Sequence, residues 1–182
     1  MSAVVLKLRG GERFKEELLQ MARGLGRARK VRVGFLEGAT YPQGDGGARL
    51  ARAAKRFPKW RGLFMGWARW QYKHPTNLSV AQVAFWMEFG TSTTAARPFF
   101  RRTISRHAGE WGRRLARFLR GSQFDSQIAL EKLGVLIREQ VHEAIITWPA
   151  DNAPLTVAIK GFNHGLVDHS VMARAVDFQV IG

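Results

Sequence analysis

Two long helices are predicted by residues 98–146, PFFRRTISRHAGEWGRRLARFLRGSQFDSQIALEKLGVLIREQVHEAII. The first begins at Pro98, which a helix tolerates in its first turn because the missing N–H has no partner there. It carries apolar residues at helical spacing and reaches about Arg120. Gly121-Ser122 ends this helix, and Ser126 begins a second helix over 127–146 with one apolar face. The sequence therefore predicts a fold organised around helices.

Shorter elements flank this pair of helices. Val31, Val33 and Phe35 alternate with polar or small residues, as in a half-buried strand. Ser79 is the expected cap of a following helix, because its hydroxyl can accept a hydrogen bond from a free N–H of the first turn. The remaining predicted elements are a helix over 11–28, a strand over 31–38, a helix over 80–89, a short helix at 155–160, a helical turn at 171–176 and a final strand at 178–181.

The composition limits the class of protein. The chain has 182 residues and no cysteine, which excludes disulfides and thiolate metal sites. Lys and Arg number 29 against 14 acidic residues, a formal charge of +15 that favours polyanions or acidic protein surfaces as partners. No stretch has the roughly 20 apolar residues that a membrane helix needs. We therefore expect a protein made in the cytoplasm that does not bind a membrane.

Residues 45–77 are predicted to form an inserted arm that is rich in both cations and aromatic rings. The arm is expected to be helical at 48–57 and to be broken by Pro58 and Gly62. Such rings can stack on nucleic-acid bases while the cations neutralise phosphates. The arm can equally bury its tryptophans against a neighbouring subunit, and we favour this second interpretation. The candidate contact residues in the arm are Trp60, Phe64, Trp67 and Trp70.

No motif for catalysis, cofactor binding or metal binding is found. Asp168, His169 and Ser170 have the residue types of a catalytic triad, but three consecutive residues seldom converge in the required geometry. The five histidines lack the spacing of paired metal ligands. We therefore expect no catalytic residues, no cofactor and no metal, and a chain that is not an enzyme. A hydrolase or nuclease would need a carboxylate or histidine cluster that the sequence does not show.

Several segments, taken in order, resemble the neck or tail-completion proteins of long-tailed bacteriophages, a family also described as tail components or virion morphogenesis proteins. The order of the segments is the main argument, since each is short. His169-Ser170 stands where the family has Thr-Gly, and the arm is an insertion relative to the family. The resembling segments are Val31–Pro42, Ser79–Thr91 with its Glu-Phe-Gly-Thr turn, Ala96–Arg101, Ala129–Gly134, Ile145–Trp148, Asn152–Pro154, Lys160-Gly161 and Leu166–Asp168.

The resemblance implies an α+β fold, a small antiparallel sheet packed against long helices, in a single domain over 1–182 that carries the arm. It also implies a structural protein of the virion, made in the host cytoplasm, that forms a ring at the head-tail junction. The expected partners are other copies in a hexameric or dodecameric ring, the head connector or adaptor, tail terminator or tail tube proteins, and packaged DNA in the channel.

Two further sets of residues complete the predicted contact surfaces. Arg97, Phe99 and Phe100, at the start of the helix beginning near Pro98, are candidates for the interface between subunits. A stripe of arginines on the outer side of the same helix is expected to face the DNA channel or an acidic neighbour, with a solvated face as the alternative. The arginine stripe consists of Arg102, Arg106, Arg113, Arg117 and Arg120. The alternative function is nucleic-acid binding through the arm.

Overall fold

The computed structural model describes residues 11–36, 38–41, 46–73, 78–92, 94–167 and 170–182, with the backbone alone at 11, 46–47 and 68–73. The described residues are mostly helical and include a two-stranded antiparallel sheet. The elements in chain order are α1 (Gly11–Leu25), β1 (Lys30–Phe35), α2 (Gly46–Arg56), a 3-10 turn (Pro58–Trp60), α3 (Arg61–Lys73), α4 (Val80–Phe89), α5 (Phe99–Gly121), α6 (Ser126–Ile146), α7 (Pro154–Lys160), α8 (Val171–Arg174) and β2 (Val176–Ile181). The predicted α+β fold is confirmed.

The chain forms two compact units. The first contains the described residues up to Val33, together with His107–Ile137 and Phe178–Gly182. The second contains Gly34–Arg106 and Arg138–Asp177. Buried apolar side chains of the first unit are Ala28, Ala129, Leu130, Leu133 and Ile137. Those of the second include Leu50, Phe64, Val80, Phe99, Val141, Ile145, Leu166 and Met172.

In the first unit, a serine hydroxyl ties the end of α1 to the start of α6. The Ser126 hydroxyl accepts a hydrogen bond from the N–H of Ala28 at 2.9 Å and donates to the carbonyl of Gly24 at 2.9 Å. The Asp125 carboxylate caps α6 by accepting from the N–H groups of Gln127 and Ile128. The residue that caps α6 is therefore Asp125, while Ser126, predicted to begin the helix, joins two segments of the unit.

The strand β2 approaches α6 closely at one glycine. A Cβ atom added to Gly134 would lie 2.3 Å from a ring carbon of Phe178, which is far closer than two carbon atoms can come. The missing side chain therefore makes room for the phenylalanine ring. This contact packs the small sheet against a long helix, as the resemblance implies.

The arm differs from its prediction in its second half. Gly62 does not interrupt the helix, because it lies in the first turn of α3, which continues to Lys73. Phe57, Phe64 and the apolar side of α2 form a cluster with α7. Glycine costs a helix a modest amount of free energy. The burial of Phe64, which is 1% exposed, offsets this cost. The arm is therefore largely helical and packs on its own unit.

Two other elements also depart from expectation. The predicted first helix extends to residue 28, whereas α1 ends at Leu25, just before Gly26. The apolar side of α5 was expected to be buried, yet Ile104 is 39% exposed. The buried residues of α5 are Phe99 and Thr103 in its first two turns. Among the described residues, no helix is both long enough and apolar enough to cross a membrane.

Candidate functional site

The start of α5 is capped by a carboxylate from another helix. Pro98 directly precedes α5, and its carbonyl accepts the first helical hydrogen bond, from Arg102. Proline has no side-chain acceptor for the free N–H groups of the first turn. The Glu88 carboxylate at the end of α4 performs this role, accepting from the N–H of Phe100 at 2.9 Å and of Arg101 at 3.1 Å. Its negative charge also suits the positive end of a helix.

The same carboxylate is neutralised by an arginine. The Arg101 guanidinium donates to Glu88 at 2.8 Å through Nε and to the Glu88 carbonyl at 3.0 Å through Nη2. The Glu88 side chain is 8% exposed, whereas the Arg101 side chain is 57% exposed. A buried carboxylate needs such partners, because desolvation strongly disfavours an isolated charge. Glu88 thus joins α4 to α5 through four hydrogen bonds in all.

The turn between α4 and α5 requires glycine. Gly90 has a φ of +79°, and a Cβ there would lie 2.9 Å from backbone atoms of Thr94 and Ala96. A side chain would therefore be strained and would also collide with backbone. The N–H of Thr91 donates to the Thr94 carbonyl at 2.9 Å, which closes the turn. This is the Glu-Phe-Gly-Thr turn of the predicted family motif.

Arg97 is a buried anchor for a distant loop. Its Nε donates to both carboxylate oxygens of Asp151 at 2.9 Å, and its Nη1 lies 3.3 Å from the Met87 sulfur. The indole N–H of Trp148 donates to Asp151 at 3.0 Å. Burial alone raises the pKa of Asp151, but hydrogen bonds from Arg97 and Trp148 and the charge of Arg97 outweigh it, so the pKa lies below its usual value.

Three segments that carry the family resemblance therefore meet in one hydrogen-bonded cluster. They are Ser79–Thr91 through Glu88, Ala96–Arg101, and Ile145–Trp148 through Trp148, whose indole shares the Asp151 carboxylate with Arg97. We call this arrangement the polar cluster; its charged members are Glu88, Arg97, Arg101 and Asp151. The pairing of Arg97 with Asp151 is not predictable from local sequence patterns, since 54 residues separate the two.

Two predicted interface residues are corrected by this cluster. Arg97 is 9% exposed and Phe99 is 1% exposed. The ring of Phe99 packs edge-on against Phe35 of β1, with 6.1 Å between ring centroids. Both side chains are bound within their own unit, so they stabilise the start of α5 and offer no surface to a neighbour. Phe100 is half-buried and keeps part of its ring exposed.

An apolar groove lies beside the polar cluster. Its cavity has a volume of about 320 Å³ between β1, α4 and the start of α5. The phenylalanines that line this apolar groove are Phe35, Phe85, Phe89, Phe99 and Phe100, and Arg101 lines it as well. Phe85 is 60% exposed and Phe89 is 54% exposed. Neither residue was among the predicted contact residues, although both lie in the Ser79–Thr91 segment.

The aromatic rings of the groove are held in place by their neighbours. The centroids of Phe85 and Phe89 are 4.7 Å apart, within the range of favourable ring pairs. The Arg101 guanidinium lies 4.8 Å from the Phe89 centroid, at the distance of a cation–π interaction. A fixed, exposed group of phenylalanines beside an arginine has the composition of a protein-binding surface.

The predicted contact residues of the arm fall into two groups. Trp60 is 52% exposed and Trp67 is 41% exposed. Phe64 is buried in the cluster between the arm and α7, so its prediction as an interface residue is wrong. Phe64 is buried because it is on the side of α3 that faces α2. The side chain of Trp70 is outside the described side chains.

All members of the arginine stripe are exposed. Arg102 and Arg106 belong to the second unit, and Arg113, Arg117 and Arg120 to the first, along one continuous helix. Glu110 lies 3.9 Å from Arg114, a cation that is not part of the stripe. The stripe is therefore exposed enough to contact a polyanion. The same exposure is expected of a face that contacts only solvent.

The described residues form no candidate metal site. Among the described residues, no group of three or more His, Asp or Glu side chains is placed to hold a metal ion. Asp168 and His169 of the triad-like tripeptide lie outside the described residues. Comparison of the chain with protein families, with curated proteins and with solved structures found no match. Any functional conclusion therefore depends on the residues themselves.

Proposed function

We propose that the chain is a structural protein of a long-tailed bacteriophage, a neck or tail-completion subunit that forms a ring at the head-tail junction. The observation that carries the proposal is the polar cluster. Three segments that are separate in sequence and that each resemble the family are joined by two carboxylates. Glu88 of Ser79–Thr91 accepts from Phe100 and Arg101 of Ala96–Arg101, and Asp151 accepts from both Arg97 and Trp148, the last residue of Ile145–Trp148. Residues of a shared motif are expected to depend on one another in this way.

The exposed surfaces support an assembly role. The apolar groove, the exposed tryptophans of the arm and the arginine stripe are rich in Phe, Trp and Arg, which are enriched in protein interfaces. A closed ring uses two different patches of each subunit, one meeting the other on the next copy. In the proposed ring, the head connector or adaptor lies on one side and the tail terminator or tube on the other. The arginine stripe faces packaged DNA or an acidic neighbour.

The proposal is tested by depleting the protein during infection. We expect filled heads and finished tails to accumulate without joining, and expression of the wild-type chain to restore joined particles. Electron microscopy of the lysate counts the three kinds of particle. Joined, infectious particles at the normal yield in the absence of the protein would contradict the proposed function.

A second candidate is nucleic-acid binding through the arm. Trp60 and Trp67 are exposed in a region where Lys59 and Arg61 are exposed as well, so rings and cations are available together. This function predicts binding to a single-stranded oligonucleotide that weakens steeply with salt and is reduced by Trp67→Ala. Met65→Ala is the control, because Met65 is exposed on the same helix but has no ring.

A further inference from the structure

One side of the arm exposes apolar side chains. Leu63 and Trp67 are four residues apart and so lie on one side of α3, and Trp60 precedes Leu63 by three residues in the turn that leads into the helix. Trp60 is 52% exposed, and Leu63 and Trp67 are each 41% exposed. Phe64, about 100° further around the helix, is the residue that packs on α2. We call Trp60, Leu63 and Trp67 the arm stripe.

The second unit has no further large apolar side chain with which to bury the arm stripe. Its residues outside the described part are 37, 42–45, 74–77, 93 and 168–169, and all of them are polar, glycine or proline. Trp70 and Tyr72, whose side chains are also outside that part, belong to α3 itself. Exposed tryptophans beside a leucine are typical of a surface that contacts another molecule.

The charge around the arm stripe has one sign. Residues 46–87, which include most of the arm, contain no Asp or Glu. The side chains of Lys55, Arg56, Lys59 and Arg61 are exposed, and none of the four forms an ion pair with another described residue. Opposite charges promote association and like charges suppress it, so the partner of the arm needs acidic groups. The cations in residues 46–87 are Arg49, Arg52, Lys55, Arg56, Lys59, Arg61, Arg69 and Lys73.

A second copy of the chain is a poor source of these acidic groups. The chain has 14 Asp and Glu against 29 Lys and Arg, so a second copy offers the arm more cations than anions. Several acids are already paired with an arginine of their own chain, among them Glu17, Asp125, Glu139 and Asp151. The acidic groups therefore come from a different molecule.

The leucine of the arm stripe favours a protein over a nucleic acid as that molecule. Both tryptophans can stack on bases, but Leu63, which lies between them, has no ring on which a base can stack. Burial of its aliphatic side chain is favourable against apolar side chains. Protein interfaces combine such an apolar centre with a charged rim, and they are enriched in Trp and Arg.

We infer that the arm stripe binds an amphipathic helix of another protein. The apolar anchors of that helix contact the arm stripe, and its Asp and Glu side chains contact Lys59 and Arg61. Side chains at i, i+3 and i+7 form the kind of row along which two helices pack. The inference does not depend on the proposed ring, because the arm is an insertion relative to the family.

The first test uses two synthetic helical peptides as probes. Both have leucines along one face, flanked by glutamates in the acidic peptide and by lysines in the basic peptide. Fluorescence anisotropy of the labelled peptides with the full chain should show saturable binding of the acidic peptide alone. Leu63→Ala should weaken this binding roughly tenfold, as loss of a central anchor does. Met65→Ala is the matched control, because Met65 is 49% exposed and lies about 200° around α3 from Leu63.

The second test reverses the charge beside the arm stripe. The double variant Lys59→Glu/Arg61→Glu should lose the acidic peptide and bind the basic one. Arg113→Glu/Arg117→Glu changes the net charge by the same amount at exposed positions of α5, and it should still prefer the acidic peptide. The melting temperature of each variant checks folding.

Several results would overturn the inference. No saturable binding of the acidic peptide, equal binding by Leu63→Ala and Met65→Ala, or an unchanged preference after charge reversal at 59 and 61 would each do so. If a single-stranded oligonucleotide binds more tightly than the acidic peptide, and Trp67→Ala but not Leu63→Ala weakens it, the occupant is nucleic acid. Tighter binding to phosphatidylserine vesicles would point to a lipid surface, and self-association that Leu63→Ala abolishes would point to a second copy. Particle joining after depletion decides the proposed function separately.

Discussion

Replacement of Glu88 by alanine tests the role of the polar cluster in the fold. The change leaves the first-turn N–H groups of Phe100 and Arg101 without their acceptor. Loss of a helix cap costs about 0.5–2 kcal/mol, and a buried donor without a partner costs about 1–3 kcal/mol. We therefore expect Glu88→Ala to lower the free energy of unfolding by roughly 2–4 kcal/mol, given that these two costs overlap.

Thermal and urea unfolding measure this loss. For a protein of this size, the expected change corresponds to a fall in melting temperature of roughly 5–15 °C. Glu88→Gln should lie between wild type and Glu88→Ala, because the amide oxygen can still accept a hydrogen bond from the helix start. Glu110→Ala is the matched control: Glu110 is 49% exposed, its ion pair is 3.9 Å long, and its loss should cost about 0.5 kcal/mol or less.

One outcome refutes the reasoning about the cap. If Glu88→Ala and Glu110→Ala destabilise the chain equally, the buried carboxylate does not hold the start of α5. The polar cluster would then be an incidental contact, and it could not support the family resemblance.

Phe64→Ala should cost about 3–5 kcal/mol in urea unfolding because it empties a core site, whereas Trp67→Ala should leave stability almost unchanged and reduce assembly; the reverse order would contradict the assignment of the two rings. Asp151→Asn should lower stability at neutral pH, and the difference from wild type should shrink only as the pH falls below about 4. The pKa of Asp151 is lowered by folding, so its contribution to stability is complete above the unfolded pKa of about 4 and is lost as the pH falls from there through the folded pKa. A stability gap that stays constant down to pH 2 would show that the charge on Asp151 is irrelevant. Paired Arg→Glu changes in the arginine stripe should spare the melting temperature and block joining of heads to tails or retention of DNA, and normal titres would show that the stripe is a solvated face.

Long helices with a clear apolar period were predictable from the sequence. The expected helices at 80–89, 98–120 and 127–146 agree with α4, α5 and α6 to within about one residue at each end. The Ser79 cap is also confirmed, since its hydroxyl accepts from the N–H of Gln82 at 3.1 Å. Local patterns suffice here because helix formation and capping depend on residues three or four positions apart.

Burial was harder to predict because it depends on distant residues. Arginine and phenylalanine are common in interfaces, which favours a contact surface at Arg97–Phe99. Both side chains are nevertheless buried, because Arg97 binds Asp151 and Phe99 packs on Phe35. Gly62 suggested a break, and only the packing of Phe64 against α2 and α7 explains why the helix continues. The apolar groove was missed for the same reason, since its lining comes from a strand and two helices.

The mass of the native purified assembly, alone or with its connector, is the most direct test of the proposed ring. The subunit has a mass of 20.5 kDa. A hexameric or dodecameric ring predicts a single species of six or twelve times this mass, and the same species should be recovered from purified particles. A subunit that stays monomeric at high concentration, with and without the connector, and that is absent from the particles would contradict the account.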